Sequence, residues 1–155
     1  MITKDRKVRI SAKAIIIRNG KVLLMRARDR AGVYYLLPGG GQRNGETLHE
    51  TLVRECIEET GVLVQPDQPR YIRDYVARNH EFAKYDRDFH QVEIMFPCAF
   101  VKKVGEPHEP DARQTGISWV STARLGRVRL YPSLLKILIA PDGRLRGPLY
   151  LGDSN

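Results

Sequence analysis

Residues 47–61, TLHETLVRECIEETG, constrain the fold of this chain more than any other stretch. Thr47, followed three positions later by Glu50, is a capping box: the threonine hydroxyl accepts from the Glu50 N–H, and the glutamate reaches back to the threonine N–H. Gly61 supplies the left-handed residue on which many helices end. Together these signals predict a helix of about fourteen residues, a common length. At 100° per residue, Glu55 and Glu59 fall near the angular positions of Leu48 and Leu52, and Glu58 lies about 60° from Glu55. The stripe therefore begins apolar and turns acidic halfway along. Val53 and Ile57 lie elsewhere on the circumference, which predicts a helix covered on two sides.

Three acids at this end of a helix are unfavourable. Like charges three and four residues apart repel by a few tenths of a kcal/mol per pair. Carboxylates near the C-terminus also oppose the helix dipole by roughly 0.3–1 kcal/mol each. Arg54, four residues before Glu58, relieves part of this. A hard divalent cation would relieve nearly all of it, because Mg²⁺ and similar ions select carboxylate and carbonyl oxygens. A solvated acidic helix end is the other reading of RECIEETG alone. The loop PGGGQRNGE just upstream lets backbone approach closely and places peptide carbonyls nearby. It lacks the Gly-Lys-Ser/Thr ending of a phosphate-binding Walker loop.

The rest of the chain reads as one domain, residues 1–155, without repeats, linkers or low-complexity segments. VRISAKAIII (8–17) and KVLLMRAR (21–28) are strand patterns, with Asn19-Gly20 a hairpin turn just before the second. YYLL ends at Pro38, and a short strand, VLV, follows Gly61. YIRDYVAR (71–78), HQVEIMFPCAFVKK (90–103, with Pro97 marking an edge or bulge) and ISWV (117–120) complete the strands. PSLLKILI (132–139) reads as a short helix, and the tail from Pro141 carries no clear signal. No apolar run approaches the ~20 residues of a membrane span. The basic N-terminus is not followed by the apolar segment of a secretory signal. Cys56 and Cys98 sit in apolar contexts and read as buried thiols in a reducing cytoplasm. Twenty-six Lys and Arg against eighteen Asp and Glu leave a net charge of +8, which favours anionic partners.

Residues 40–62, GGQRNGETLHETLVRECIEETGV, resemble the Nudix box: Gly, five residues, Glu, seven residues, Arg-Glu, an aliphatic, any residue, Glu-Glu, any residue, Gly and an aliphatic. Gly40, Glu46, Arg54, Glu55, Glu58, Glu59 and Gly61 match in register, and Val62 closes the motif. Cys56 stands where the family usually carries Leu, Ile or Val. The resemblance implies an α/β/α sandwich with a mixed β-sheet, and Mg²⁺- or Mn²⁺-dependent hydrolysis of a nucleoside diphosphate linked to another group, by attack of water on phosphorus. It also implies that Glu55 and Glu59 ligate the metal, with Glu58 a direct or water-mediated ligand and the Gly40 carbonyl a further one. Arg54 would orient the acids, and Glu46 would support Arg54 and the helix start.

The general base and the substrate contacts lie outside what the box specifies. Candidate bases are Glu58 within the box and Glu106, Glu109 or Asp111 in VGEPHEPD, a segment that also reads as a solvated turn. NHEFAKYDRDFHQ (79–91) mixes aromatics with cations, a combination suited to stacking on a base and contacting phosphate. Phe82, Tyr85 and Phe89 are its candidates, with Arg26 and Arg28 as phosphate contacts. The same loop could cover the edge of the core, and Tyr34 and Tyr35 could wall the pocket or pack within their strand. The expected substrate is a small nucleotide or nucleotide-sugar, with an RNA 5′ end also open. A non-catalytic nucleotide-sensing or nucleic-acid-binding module is the competing class, although such a module would be expected to lose box acids. The sequence leaves the oligomeric state open, a homodimer included.

Overall fold

The computed structural model of the chain describes residues 7–108 and 112–155. Eleven strands and two α-helices are present among them: β1 (Arg9–Ile15), β2 (Ile17–Arg18), β3 (Lys21–Asp29), β4 (Gly32–Leu36), β5 (Gly39–Gly41), α1 (Leu48–Thr60), β6 (Val62–Pro66), β7 (Tyr71–Val76), β8 (His90–Lys103), β9 (Gln114–Ser121), β10 (Leu130–Tyr131), α2 (Leu135–Leu138) and β11 (Tyr150–Asp153). One sheet runs β11-β7-β8-β1-β5, with β6 also on β8, and the second runs β10-β4-β3-β2, with β9 on β3. The first is mixed: β1 lies parallel to β8 and β11 parallel to β7, while β5 pairs antiparallel with β1 and β7 antiparallel with β8. This is a mixed-sheet α/β fold dominated by strands. No helix among the described residues is long and apolar enough to cross a membrane.

The stretch 8–17 is divided between the sheets. β1 ends at Ile15, and after Ile16 the chain enters β2, which pairs with β3 across a hairpin. Asn19 (φ 51°) and Gly20 (φ 69°) form that turn, both at the positive φ a two-residue hairpin requires. Period-two alternation then sorts side chains into two cores. Ala12, Ala14, Ile16 and Leu23 join Leu52 and Cys56 of α1, whereas Ile15, Val22 and Leu24 join Leu135, Leu138 and Ile139 at the other face.

Pro97, which can donate no ladder bond, stands where β8 changes neighbours. Tyr71 of β7 pairs with Met95, and Pro66 of β6 already pairs with Cys98. α1 is capped as its sequence predicts: Thr47 Oγ1 accepts from the Glu50 N–H at 3.2 Å, Glu50 Oε2 accepts from the Thr47 N–H at 2.6 Å, and Gly61 (φ 70°) ends the helix. The expected two-sided cover is corrected. The fully buried stripe is Thr51, Leu52, Cys56 and Thr60, Val53 only edges the same cluster, and Ile57 is half-buried. The C-terminal helix is a single turn, shorter than its apolar pattern predicts. Both cysteines are free and buried, and burial pushes the Cys98 thiol up to about 12.

Candidate active site

Arg54 sits at the middle of the acids, and all five of its N–H donors find oxygen. Nε donates to Glu46 Oε1 at 2.5 Å and Nη2 to Glu46 Oε2 at 3.0 Å. Nη1 donates to Glu55 Oε1 at 2.7 Å and Glu58 Oε2 at 3.3 Å, and Nη2 also reaches the Gly41 carbonyl at 3.2 Å. One planar fork therefore ties the glycine loop, the helix entry and two acids of the last turns together. The Arg54 hydrogen bond holds the Glu46 carboxyl at about 2, against an opposing contribution from burial. Glu46 also accepts from the Arg43 N–H at 3.1 Å and the Thr51 hydroxyl at 2.9 Å.

Glu59 is held differently: its Oε2 accepts from the Gly39 N–H at 2.8 Å, and Lys13 Nζ donates to the Gly39 carbonyl at 2.9 Å. β5 pairs with β1 in the register Lys13 with Gly39 and Ala12 with Gly40, which brings the glycines over the acids. A Cβ on Gly40 would stand 2.6 Å from Glu55 Oε1, so only glycine leaves room for this approach. A cavity of about 510 Å³ opens here, lined by Glu55, Glu59, Gly39 and Gly40 together with Arg9, Lys13 and Arg113.

A smaller aromatic cleft of about 260 Å³ adjoins it, lined by Tyr75, Phe82, Tyr85 and Phe89; Tyr34, Leu36 and Arg113 line both spaces. The 79–91 loop candidates thus come together beside the acids. Tyr34 and Tyr35 divide as alternation demands, Tyr34 facing the cavity and Tyr35 packing on the core. Arg26 and Arg28 are not brought there: in β3 it is Met25 and Ala27 that line the cavity, and Arg26 bonds instead to the Thr115 hydroxyl and carbonyl, both at 3.2 Å. Glu106 is exposed and pairs with Lys103 at 2.6 Å, away from the cavity lining, while Glu109 and Asp111 lie outside the described residues.

Sequence reasoning missed Lys13, Arg9 and Arg113. Arg9 and Lys13 carried a signal, since with Ser11 they are the polar alternate positions of β1, and all three line the cavity. Arg113, whose guanidinium lies 4.7 Å from the centre of the Tyr85 ring, carried none.

The donor types suit a hard cation, with carboxylates from one helix end beside a closely approaching glycine strand, while the Gly39 and Gly41 carbonyls accept from Lys13 and Arg54. No three His, Cys, Asp or Glu side chains among the described residues converge as a ready-made ligand set. Arg54 engages Glu55 and Glu58, and the Gly39 N–H engages Glu59.

The model of the NUDIX domain matches residues 7–139. The chain belongs to the Nudix hydrolase family. Solved structures agree on the fold. A MutT protein from Methanosarcina mazei shares 22% identity at a TM-score of 0.63, over 86% of this chain and 91% of that one. An ADP-ribose pyrophosphatase from Streptococcus suis is 18% identical at 0.61, over 95% and 100%. A MutT Nudix hydrolase from Burkholderia pseudomallei is 24% identical at 0.60, over 76% and 85%.

Proposed function

We propose that this Nudix protein is a divalent-cation-dependent pyrophosphohydrolase acting on a small nucleoside diphosphate linked to a second group. The observation that carries the reading is the junction of the two spaces: a cavity lined by acids and cations opens beside an aromatic cleft, and Tyr34, Leu36 and Arg113 belong to both. A diphosphate in the first space would place its base in the second. The similarity to a structure named as an ADP-ribose pyrophosphatase supports the same class of substrate.

Glu55, Glu58, Glu59 and the Gly40 carbonyl would hold Mg²⁺ or Mn²⁺, which polarises phosphorus and lowers the pKa of a bound water. Arg54 orients the acids and spreads positive charge among them while their repulsion is otherwise uncompensated. Lys13, Arg9 and Arg113 face the diphosphate with charge of the opposite sign. Phe82, Tyr85 and Phe89 offer rings to the base, where stacking contributes ~1–3 kcal/mol. Of the candidate general bases, Glu58 lies among the acids around Arg54, whereas Glu106 pairs with Lys103 away from the cavity; Glu109 and Asp111 lie outside the described residues. A reducing cytoplasm is part of the proposal, and the two free, buried cysteines support it.

The test is product identification over a panel of nucleoside diphosphate sugars, dinucleoside polyphosphates, nucleoside triphosphates and 5′-triphosphorylated RNA, with and without Mg²⁺. Metal-dependent release of a nucleoside monophosphate from a small substrate is expected, and Glu59→Gln should nearly abolish it. Full turnover after exhaustive chelation would overturn the metal assignment. Tight binding without turnover of any member would make the protein a nucleotide sensor instead.

A further inference from the structure

Asp153 belongs to the last strand, β11, which adds to the sheet edge in parallel with β7. Its carboxylate accepts three hydrogen bonds from one short segment: Oδ1 from the Val76 N–H at 3.0 Å and from His80 Nε2 at 2.6 Å, and Oδ2 from Asn79 Nδ2 at 2.7 Å. These three groups are the entry to the loop that carries Phe82, Tyr85 and Phe89. Asp153 itself lines neither the acid cavity nor the aromatic cleft.

The link continues from His80 into the cleft. The His80 ring stacks on Tyr75 at 5.2 Å and 13°, and Tyr75 meets Phe89 at 6.1 Å. At the loop's far side Tyr131 donates to Glu81 at 3.2 Å and packs edge-on against Phe82 at 5.1 Å. The exit of the loop is tied as well, the Ala77 N–H donating to the Phe89 carbonyl at 2.9 Å and Arg113 lying 4.7 Å from the Tyr85 ring centre, but its middle is little buried. None of Glu81–Lys84 is buried, and Tyr85 is 52% exposed. A segment with so few buried contacts opens easily unless hydrogen bonds at its ends restrain it. β11 is restrained in turn, because the buried Arg73, paired with Glu93 at 2.5 Å, also donates to the Ser154 carbonyl.

We propose that Asp153 is a positioning residue for base recognition: from outside the cleft it fixes the entry of the 79–91 loop and so pre-orders the aromatic wall. The inference rests on the proposed nucleotide pyrophosphohydrolase reading and adds a specificity determinant to it. The carboxylate is suited to the task because it stays ionised. Burial acts to raise its pKa but is outweighed by the hydrogen bonds from Asn79, Val76 and His80, which bring it to about 2. Ordering the loop before the substrate arrives removes a cost that binding would otherwise bear. Loss of Asp153 should therefore appear in KM for a substrate that has a base, with kcat retained.

The experiment compares the wild type, Asp153→Asn and Asp153→Ala on a nucleoside diphosphate sugar and on a base-free dialkyl diphosphate. For Asp153→Ala, KM for the nucleotide substrate should rise about ten-fold, the change for ~1.4 kcal/mol of lost binding. Asp153→Asn, which keeps one acceptor oxygen, should show a smaller rise. The base-free efficiency should stay unchanged in both. Phe82→Ala added to Asp153→Ala should cost less than the two single changes combined, because the ring has already lost its fixed position. Equal losses on both substrates, or full additivity with Phe82→Ala, would overturn the proposal.

Thermal melts control for folding, and Asp153→Asn carries the test if Asp153→Ala does not fold. Calorimetric binding of a nucleoside monophosphate gives an arm independent of turnover. If the wild type hydrolyses neither substrate, the enzymatic reading fails, yet weaker monophosphate binding in the Asp153 variants would still support the positioning role. Unchanged binding would dismiss it.

Discussion

Arg54 and Glu46 face each other as a two-pronged pair, Nε to Oε1 at 2.5 Å and Nη2 to Oε2 at 3.0 Å, so the remaining donors of the guanidinium are aimed at Glu55, Glu58 and the Gly41 carbonyl. Lysine has the charge without the planar fork. Arg54→Lys should lower the maximal rate at saturating metal by ~10–100-fold, the usual range for a residue that orients metal ligands. Steady-state kinetics over a metal titration measure it, and an unchanged maximal rate would reduce Arg54 to an ordinary ion-pair partner.

The contact between Gly40 and Glu55 predicts an effect from a single methyl group. In Gly40→Ala the new Cβ would stand 2.6 Å from Glu55 Oε1, so either the carboxylate or the loop must shift. Displacing a reacting group by about 1 Å can cost ~100-fold in rate. Activity should fall by that order while the circular dichroism spectrum and melting temperature change little. A fully active Gly40→Ala would remove Glu55 from the site.

The three loop aromatics should separate from the acids in their kinetics. Phe82→Ala, Tyr85→Ala and Phe89→Ala each remove a ring from the cleft. The most affected should raise KM for a base-bearing substrate about ten-fold or more, as expected from ~1–3 kcal/mol of stacking. The rate on a base-free diphosphate should hold. Parallel losses on both substrates would show that the loop only covers the core.

Glu46 sets a pH dependence of stability whose sign is determined. Its carboxyl is lowered from 4.5 to about 2, first by the Arg54 hydrogen bond, so folding favours the ionised form. That stabilisation is fully present above pH 4.5 and disappears as the pH falls toward 2. Glu46→Gln should therefore be less stable than the wild type at neutral pH and converge on it in acid. Denaturation midpoints at a series of pH values test this, and a gap that stays constant down to pH 3 would contradict it.

Legibility in the sequence followed the range of the forces involved. The ends of α1 were readable because the capping hydrogen bonds of Thr47 and Glu50 span three residues, and the Asn19-Gly20 turn because its φ requirement is local. The acids and their order were readable for the same reason, since helical spacing alone places Glu55, Glu58 and Glu59. The division of 8–17 between two sheets was not, because nothing in an apolar run says which of two cores will take each residue. The tail from Pro141 gave no signal either, although it contains β11 and Asp153. A four-residue edge strand has too short a pattern to read.

By itself, then, the sequence determined a capped helix with three acids on its last turns, a glycine loop before it, and through their spacing the family. Those features depend on neighbours a few positions apart. The tertiary structure alone decided what surrounds them. It turned Lys13 onto Gly39 across 26 positions, set Arg113 between the acid cavity and the aromatic cleft, and turned Arg26 and Arg28 away from both. It also joined Asp153 to His80 across 73 positions. Such pairings follow from sheet order and register, which arise from burying two apolar faces at once and are encoded in no single stretch of chain.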